Sequence, residues 1–353
     1  MTKYSSLNRL NAFFPAMSSG RSNMRQIAAA AGVSVATVSM ALRNSEKISP
    51  ETREKVHAAA AALNYRPDPL IAALASRRRE RTPTSLDIIA YVTAYPTKEG
   101  WRNNRFSPAA YEGACTRAAS RGYRVEHFWL REEQMTTRRL AHILQARGIL
   151  GVCIAPFPDV VPQFAFAWDQ FCTAAIGYTM LRPSIHRASP HQFQGMQLAL
   201  NTLRLRGYKH IGVALGQRVS KIVAKTWIAA VLLFQYTHGR SAATCLVYEE
   251  SDRLELMTWM KTSKPDALIV SDVYLIEWLK EIGIRIPEDM GVVPLERHPG
   301  FASLDQKPGM VGAAAIDMIV GMIQRNETGL PADPKNVMVE GAWIEGPSVR
   351  PPS

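Results

Sequence analysis

Residues 24–65 read MRQIAAAAGVSVATVSMALRNSEKISPETREKVHAAAAALNY, and this stretch decides the fold of the N-terminal region. Alanine-rich runs with apolar residues three or four positions apart predict three short helices. Gly32 ends the first helix, because glycine readily adopts the left-handed backbone that closes a helix. Ser34 caps the second helix, and Ser49 with Pro50 begins the third. Two helices joined by a tight glycine turn are typical of a helix-turn-helix unit.

The second predicted helix, over residues 35–43, is the element that such a unit places in the major groove of DNA. Its short hydroxyls suit phosphate oxygens, and Arg43 adds positive charge. A small three-helix scaffold for protein contacts is the alternative that this pattern leaves open. The residues expected to contact DNA are Ser34, Val35, Ala36, Thr37, Ser39, Met40, Arg43, Asn44 and Tyr65.

Positive charge is concentrated in the first quarter of the chain. Residues 1–85 hold 13 Lys or Arg and 5 Asp or Glu, whereas the remaining 268 residues hold 29 and 25. A local positive field favours a polyanionic partner, although a solvated basic tail would also account for the charge alone. Residues 1–23 are polar and weakly patterned, and we interpret them as a flexible tail.

From residue 86 onward, short β-type apolar runs alternate with helix-length segments. Such alternation is typical of parallel sheets with helices on both faces. Eight runs in this length of chain suit two lobes better than one, and ligands of such folds bind at the carboxyl ends of strands or between lobes. The predicted strands cover 87–95, 123–130, 149–155, 173–178, 210–215, 244–248, 267–270 and 291–295. The predicted helices cover 109–121, 137–147, 193–206, 220–238 and 254–262.

Four segments of the N-terminal region closely resemble the DNA-binding headpiece of the lactose-repressor/galactose-repressor family: AGVS at 31–34, TVS at 37–39, ISPETREKV at 48–56 and LNYRP at 63–67. The resemblance implies that the second helix enters the major groove and that Val35 and Ala36 help to choose the base sequence. The family often has an arginine after the T-V-S triplet, which suits guanine, whereas this chain has Met40. We therefore expect a more apolar reading of bases, with contacts to thymine methyl groups.

Residues 68–76, DPLIAALAS, resemble the hinge helix of the same family, which pairs with its twin and enters the minor groove at the operator centre. A helix this short is marginal by itself in water. Leu74 matches the family's wedge leucine, and an apolar wedge between base steps kinks the duplex. An ordinary interdomain helix is the alternative. The residues expected at the minor groove are Ala73, Leu74, Ser76 and Arg77.

Beyond residue 85 the chain resembles the periplasmic-binding-protein-like core of this family, with its clearest matches at 205–212, 284–289, 305–306, 311–315 and 341–343. The resemblance implies a small-molecule effector, usually a sugar, in a cleft. The family's arginine at the start of the helix after the 210–215 strand has no clean counterpart, and its Asn-Asp pair reads Ser271-Asp272. The residues expected to bind the effector are Trp101, Asn103, Phe106, Tyr178, Arg218, Lys225, Asp272 and Glu296.

Signatures of phosphate-binding loops, dinucleotide-binding glycines, nucleophile elbows and zinc hydrolases are missing from the sequence. We therefore expect no enzyme, no metal and no other cofactor. The four cysteines are widely spaced, which predicts reduced thiols in a cytoplasmic protein. No apolar run approaches the length of a membrane span. A periplasmic-type binding protein that does not read DNA is the alternative, but it predicts a secretory signal and no basic headpiece.

The sequence thus predicts an N-terminal all-α helix-turn-helix headpiece and a two-lobed α/β effector domain of the periplasmic-binding-protein-like type I fold. The expected partners are double-stranded operator DNA, a small-molecule effector and a second copy of the chain, with a tetramer left open. The expected segments are a flexible tail over 1–23, the DNA-binding domain over 24–67, the hinge helix and linker over 68–85, the effector-binding and dimerisation domain over 86–345 and a C-terminal tail over 346–353.

Overall fold

The computed structural model describes residues 24–42, 48–63, 65, 87–249 and 253–351. The contacts between residues group the chain into two compact units, one within residues 1–81 and the other within 82–353. The predicted hinge residues and two of the predicted DNA contacts lie outside the described residues: Ala73, Leu74, Ser76, Arg77, Arg43 and Asn44.

The first unit consists of three helices around a small apolar core. They are α1 (Met24–Ala31), α2 (Val35–Ala41) and α3 (Pro50–Ala62). Each helix contributes a fully buried aliphatic side chain, and these are Ile27, Val38 and Val56. The three helices that the apolar spacing predicts are therefore confirmed.

The ends of these helices follow the capping residues in the sequence. Gly32 has a φ of +66°, a left-handed conformation in which a residue with a Cβ is strained. The Ser34 hydroxyl accepts a hydrogen bond from the Thr37 amide at 3.0 Å, and the Ser49 hydroxyl accepts one from the Thr52 amide at 3.3 Å. These bonds satisfy amides that the first turn of a helix leaves without partners.

The first lobe of the second unit is built on a parallel sheet of six strands. The strands are β1 (Asp87–Thr93), β2 (Tyr123–Trp129), β3 (Gly151–Ile154), β5 (Cys172–Ile176), β7 (His186–Pro190) and β13 (Asn336–Val339), in the order β13–β7–β5–β3–β1–β2. Helices α4 (Phe106–Ser120) and α11 (Pro308–Arg325) cover one face, and α5 (Thr137–Ala146) covers the other. Two short strands, β4 (Val161–Gln163) and β6 (Met180–Arg182), pair with each other.

The second lobe is built on a parallel sheet of four strands. The strands are β8 (Ile211–Gly216), β9 (Ala243–Tyr248), β10 (Ala267–Val270) and β11 (Gly291–Pro294), in the order β11–β10–β8–β9. Helices α6 (Gln192–Leu205) and α8 (Thr226–His238) pack on one face, and α9 (Arg253–Ser263) and α10 (Tyr274–Glu281) pack on the other. The remaining elements are α7 (Gln217–Ile222) and an antiparallel pair, β12 (Ser303–Asp305) and β14 (Ala342–Ile344).

All eight predicted strands occur, at bounds within two residues of those expected. The predicted helix over 220–238 is wrong, because the structure divides it into α7 and α8. Ala224 and Lys225 have φ angles of +54° and +57°, and such left-handed residues interrupt the hydrogen-bond ladder of a right-handed helix. Lys225 consequently lies at the break between the two helices.

Residues 346–351 pack into the second lobe, where the sequence predicts a tail. The Ser348 hydroxyl donates to the Val292 carbonyl at 2.7 Å and accepts from the Ala302 amide at 2.9 Å. Ser348 and Val349 are 3% and 4% exposed. The tail prediction for this segment is therefore corrected, because its side chains complete the core beside β11.

The chain passes between the two lobes three times, before α6, before α11 and after β13. Two glycines allow α11 to lie directly against α4 in the first lobe. A Cβ on Gly312 would overlap the carbonyl oxygen of Ala110, and one on Gly113 would overlap that of Gly309. The first lobe therefore needs the C-terminal part of the chain to complete its fold.

Among the described residues, no helix has the length and apolar character needed to cross a membrane. The same part of the chain contains no group of three or more His, Cys, Asp or Glu side chains placed to hold a metal ion.

Candidate nucleic-acid interface and ligand cavity

The face of α2 that points away from the headpiece core carries four of the predicted DNA contacts. Val38 and Ala41 are buried on the inner side. An α-helix turns by about 100° per residue, so the positions between these buried residues point away from the core. Val35 and Ala36 are exposed there, and Ser39 and Met40 are half-buried.

The other predicted contacts of the headpiece have local roles. The hydroxyls of Ser34 and Thr37 lie 2.8 Å apart and share a hydrogen bond at the start of α2. Tyr65 packs against the headpiece core, and its amide donates to the Ala60 carbonyl at 2.9 Å. The structure therefore brings six of the nine predicted residues together at the start and outer face of α2, with Tyr65 apart from them and two outside the described residues.

A cavity of about 530 Å³ lies between the two lobes of the second unit. Pockets that bind small molecules commonly have volumes of about 300–1,000 Å³. The strand register of the second sheet explains why two carboxylates line the cavity. Val270 and Pro294 are paired neighbours in β10 and β11, and Asp272 and Glu296 each follow two residues later. Both carboxylates therefore leave the same edge of the sheet and reach the same cavity.

The structure brings most of the predicted effector-binding residues to this cavity. Trp101 is not among its lining residues, because it is 1% exposed and packs against Tyr91, Tyr111 and His127 in the first lobe. Lys225 also lies outside the lining. The predicted residues that do line the cavity are Asn103, Phe106, Tyr178, Arg218, Asp272 and Glu296.

Asp272 is oriented by hydroxyl groups of the second lobe. Its Oδ2 accepts hydrogen bonds from the Tyr248 hydroxyl at 2.8 Å and from the Ser271 hydroxyl at 2.7 Å. Burial raises the pKa of Tyr248 well above its usual value, and the negative charge of Asp272 adds to the increase. Tyr248 therefore stays protonated and keeps donating, which fixes the carboxylate at the cavity wall.

Glu296 is the second carboxylate of the cavity. Its side chain makes no hydrogen bond within the part of the chain that the structure describes. Burial raises its pKa, the nearby Arg105 cation opposes that change, and the negative charge of Asp272 adds to it. A half-buried carboxylate without a donor is a group that a ligand could satisfy.

Two further polar groups of the lining were not predicted from the sequence. Gln192 Oε1 and Trp227 Nε1 are buried and lack hydrogen-bond partners among the described residues. The amide of Gln192 donates from Nε2 to Gln306 Oε1 at 3.1 Å. A signal was available for Gln306, because Asp305-Gln306 is one of the segments that resemble the family core, whereas Gln192 and Trp227 join the cavity only through tertiary packing.

Two arginines of the cavity lining connect the two lobes. Arg105, at the start of α4, donates to the Arg297 carbonyl at 3.3 Å. Arg218, in α7, donates to the Pro158 carbonyl at 3.1 Å. Each bond joins one lobe to the other, so the structure has the two lobes in contact around the cavity.

Comparisons with known proteins agree with both units. Residues 23–68 match the family model for bacterial regulatory proteins of the lacI family, and residues 200–349 match the model for a periplasmic binding protein-like domain. The chain is 24% identical over 335 residues to the HTH-type transcriptional repressor PurR of Haemophilus influenzae, a match that covers 87% of this chain and 93% of the relative. It is 23% identical over 330 residues to the HTH-type transcriptional regulator KdgR of Bacillus subtilis, with 86% and 92% covered.

A solved structure shows the same fold. The lac repressor dimer bound to operator and the anti-inducer ONPF matches with a TM-score of 0.52 and 18% identity. The match covers 93% of this chain and 99% of that one. A headpiece with a helix-turn-helix and a two-lobed ligand-binding fold in one chain define a DNA-binding transcriptional regulator. The chain thus combines a DNA-binding domain that matches the lacI family of bacterial regulatory proteins with a periplasmic binding protein-like domain. The two relatives that match over most of the chain are named as transcriptional regulators, which confirms the expectation that the chain is not an enzyme.

Proposed function

We propose that this chain is a cytoplasmic transcriptional repressor that binds a pseudo-palindromic operator as a homodimer. We further propose that a small molecule, a sugar or another metabolite, binds between the lobes and sets the operator affinity. The name of the Haemophilus relative, a repressor, supports the direction of regulation. A twofold dimer offers two headpieces to two half-sites, whose spacing the dimer geometry fixes.

The observation that carries the effector proposal is the set of polar groups without partners around the cavity between the lobes. Glu296 has no hydrogen bond in the described part of the chain, and neither Gln192 Oε1 nor Trp227 Nε1 has one. Leaving a buried polar group unsatisfied costs about 1–3 kcal/mol. A ligand that supplies a donor to Glu296 and Gln192 and an acceptor to Trp227 would remove that cost.

The same cavity supports control of DNA binding. A ligand that contacts both lobes changes the free energy of bringing them together, and the bonds of Arg105 and Arg218 form only when the lobes are in contact. If lobe closure alters the geometry that the hinge segment 68–85 presents to DNA, effector and operator are coupled. Such coupling is reciprocal and typically amounts to about 1–3 kcal/mol.

The test begins with selection of operators from random DNA by the full-length protein at a stated salt concentration. Metabolites that raise the melting temperature are then added to an operator titration followed by fluorescence anisotropy. We expect the active metabolite to change the operator Kd by about 5- to 150-fold, and the operator to change the metabolite Kd by the same factor.

The matched variants are Glu296→Gln in the cavity and Glu288→Gln on the exposed surface of the same lobe. Because Glu296→Gln removes the charge that faces the cavity, it should weaken metabolite binding by about tenfold or more. Operator binding in the absence of metabolite should be unchanged. The second should change neither affinity. Operator binding that no metabolite shifts, or equal effects of the two variants, would contradict the proposal.

A further inference from the structure

We propose that the ligand of the cavity between the lobes carries a protonated amine, which donates hydrogen bonds to Glu296, Asp272 and Gln192. This inference rests on the proposed binding of a small-molecule effector, and it adds the chemical class of that molecule. An amino sugar or another polar amine belongs to this class, whereas a neutral sugar and an anion do not.

Three hydrogen-bond acceptors lie close together in the lining of the cavity. Asp272 and Glu296 each come two residues after paired positions of adjacent strands, which run about 4.8 Å apart. Gln306 connects the second of these carboxylates to an amide. Its Nε2 donates at 2.5 Å to the carbonyl of Leu295, the residue before Glu296, and its Oε1 accepts from Gln192 Nε2 at 3.1 Å. The lining therefore groups two carboxylates with the amide of Gln192.

Each of these three side chains has an acceptor position open to a ligand. Gln192 Oε1 is buried and has no hydrogen-bond partner among the described residues, and Glu296 has none there either. Asp272 uses Oδ2, which accepts from two hydroxyls of its own lobe, and this leaves Oδ1 for a ligand. An ammonium group has three N–H donors and no acceptor. One such group can therefore satisfy all three acceptors at once.

The charge of the two carboxylates favours a cation over a neutral donor. Neither Asp272 nor Glu296 forms an ion pair with another residue that the structure describes. Burial disfavours the charged form of Glu296 and so raises its pKa, and the repulsion from Asp272 acts in the same direction. Buried charges are stable when an opposite charge accompanies them. The hydroxyl of a neutral sugar donates a hydrogen bond but leaves this repulsion in place, whereas an ammonium group removes it.

The two arginines of the lining are directed to the backbone of the opposite lobe. Arg105 donates to the Arg297 carbonyl, and Arg218 donates to the Pro158 carbonyl. Arg105 is near enough to oppose the rise in the pKa of Glu296, but the described structure has no hydrogen bond between them. An anion is the ligand that these arginines would favour, so the test must include one.

A metal ion would also neutralise the carboxylates, but these acceptors suit it less well. Among the residues that the structure describes, no three His, Cys, Asp or Glu side chains are placed to share an ion. Calcium and magnesium take about six or more oxygen ligands, whereas this part of the lining offers two carboxylates and one amide oxygen. An organic cation, which has three donors at its charged end, is the better fit.

The test uses pairs of ligands in which a hydroxyl replaces an amine: glucosamine with glucose, galactosamine with galactose, putrescine with butanediol, and phenethylamine with phenylethanol. Glucuronate is the anion. Thermal unfolding of the full-length protein detects binding, and isothermal titration calorimetry gives the Kd. We expect at least one amine to bind about tenfold or more tightly than its hydroxyl counterpart, because hydrogen bonds between charged groups are the stronger ones.

The outcomes separate this inference from the proposed function. Tighter binding of a hydroxyl compound or of glucuronate, or a set in which no amine binds, overturns the amine inference. If a neutral or anionic compound binds and shifts the operator affinity, the proposed function stands without the amine. If an amine binds but leaves the operator affinity unchanged, the amine inference stands and the proposed control of DNA binding falls.

A variant of Glu296 assigns the amine to the carboxylates. Glu296→Gln keeps the size of the side chain and removes its charge, so it should reduce the preference for the amine over its hydroxyl counterpart by about tenfold. In the wild type, amine binding should weaken as the pH falls from about 7 to about 5, because Glu296, with its raised pKa, takes up a proton. Glu296→Gln should lose most of this pH dependence.

The control is Glu288→Gln, on the exposed surface of the same lobe, which should leave both the preference and the pH dependence unchanged. Thermal unfolding without ligand checks that both variants remain folded. The same preference for the amine in the wild type and in Glu296→Gln would contradict the inference.

Discussion

His186 is a titratable side chain that helps to hold an edge strand of the first lobe. It begins β7, and its Nδ1 accepts a hydrogen bond from the Lys335 amide at 2.9 Å, directly before β13. Burial lowers the pKa of His186, and the Lys335 cation lowers it further, against the opposing effect of Glu327. Because a protonated Nδ1 cannot accept that bond, the folded protein requires the neutral imidazole.

We expect the stability of the protein to fall as the pH decreases through about 6.5, the pKa of an unfolded histidine. The unfolded chain then binds a proton that the folded chain rejects, so protonation favours unfolding. His186→Asn retains an acceptor but does not titrate, and it should reduce the dependence of the urea midpoint on pH between 8 and 5.5. His127, whose pKa burial also lowers, remains in both proteins and supplies the background. The same slope in both would show that the pKa of His186 does not differ between the folded and the unfolded protein.

The contact between α4 and α11 in the first lobe depends on glycine at particular positions. A Cβ on Gly312 would overlap the Ala110 carbonyl, whereas a Cβ on Gly309 would come no nearer than 3.6 Å to its closest neighbour, the Ala109 carbonyl. The two glycines are on the same helix, three residues apart, so they form a matched pair.

We expect Gly312→Ala to lower the free energy of unfolding by about 1–3 kcal/mol or to prevent folding, because the helices would have to separate. Gly309→Ala should be neutral or should stabilise the protein by up to about 1 kcal/mol, since alanine loses less backbone entropy in a helix. Urea unfolding followed by circular dichroism measures both. Equal losses in the two variants would mean that the interface is looser than the structure describes.

At the scale of helices and strands, the elements that the sequence predicts are the buried ones with simple apolar patterns. Central strands such as β8 and β10 are continuous apolar runs between turns, and their burial is complete. By contrast, β7 reads HRASP and yet is buried, because the Arg187 guanidinium donates to the carbonyls of Gly177 and Met180. A polar strand of this kind becomes recognisable only when its tertiary partners are known.

The cavity was predictable to the extent that its residues follow strands. Asp272 and Glu296 each come just after a strand of the second sheet, and the carboxyl ends of parallel strands are where ligands bind. Trp101 comes from a loop of similar appearance, but aromatic neighbours in the first lobe bury it. Gln192 is the first residue of α6 and Trp227 is the second residue of α8, and no local pattern marks either of them as a lining residue.

At the scale of the whole molecule, an apolar surface on the second lobe supports the proposed homodimer. The strand β9 lies at the edge of its sheet, between α8 and α9. Several large apolar side chains are exposed there: Leu232 at 57%, Leu233 at 42%, Tyr236 at 88%, Val247 at 37% and Leu254 at 73%. Exposed apolar side chains beside an open sheet edge are typical of a protein interface.

We expect the double variant Leu232→Asp with Tyr236→Asp to be a monomer that keeps its fold and loses most of its operator affinity. The introduced charges would have to be buried against the partner, and a monomer contacts one half-site at a time. Sedimentation velocity measures the mass, and anisotropy measures operator binding. Leu330→Asp, at a 47% exposed leucine of the first lobe, is the control that should remain dimeric. A double variant that still sediments as a dimer would place the interface elsewhere.

The first lobe combines strands from distant parts of the chain, since β1 begins at Asp87 and β13 ends at Val339. A ribosome adds about 5–20 residues per second, so the roughly 250 intervening residues correspond to about 13–50 s of translation. Until α11 emerges, only α4 covers this face of the sheet, and the part that α11 covers lacks its partner helix. The headpiece, in contrast, is synthesised within the first 65 residues. Chaperones that shield apolar surface, or slower synthesis at low temperature, should therefore raise the yield of folded effector domain far more than that of the headpiece.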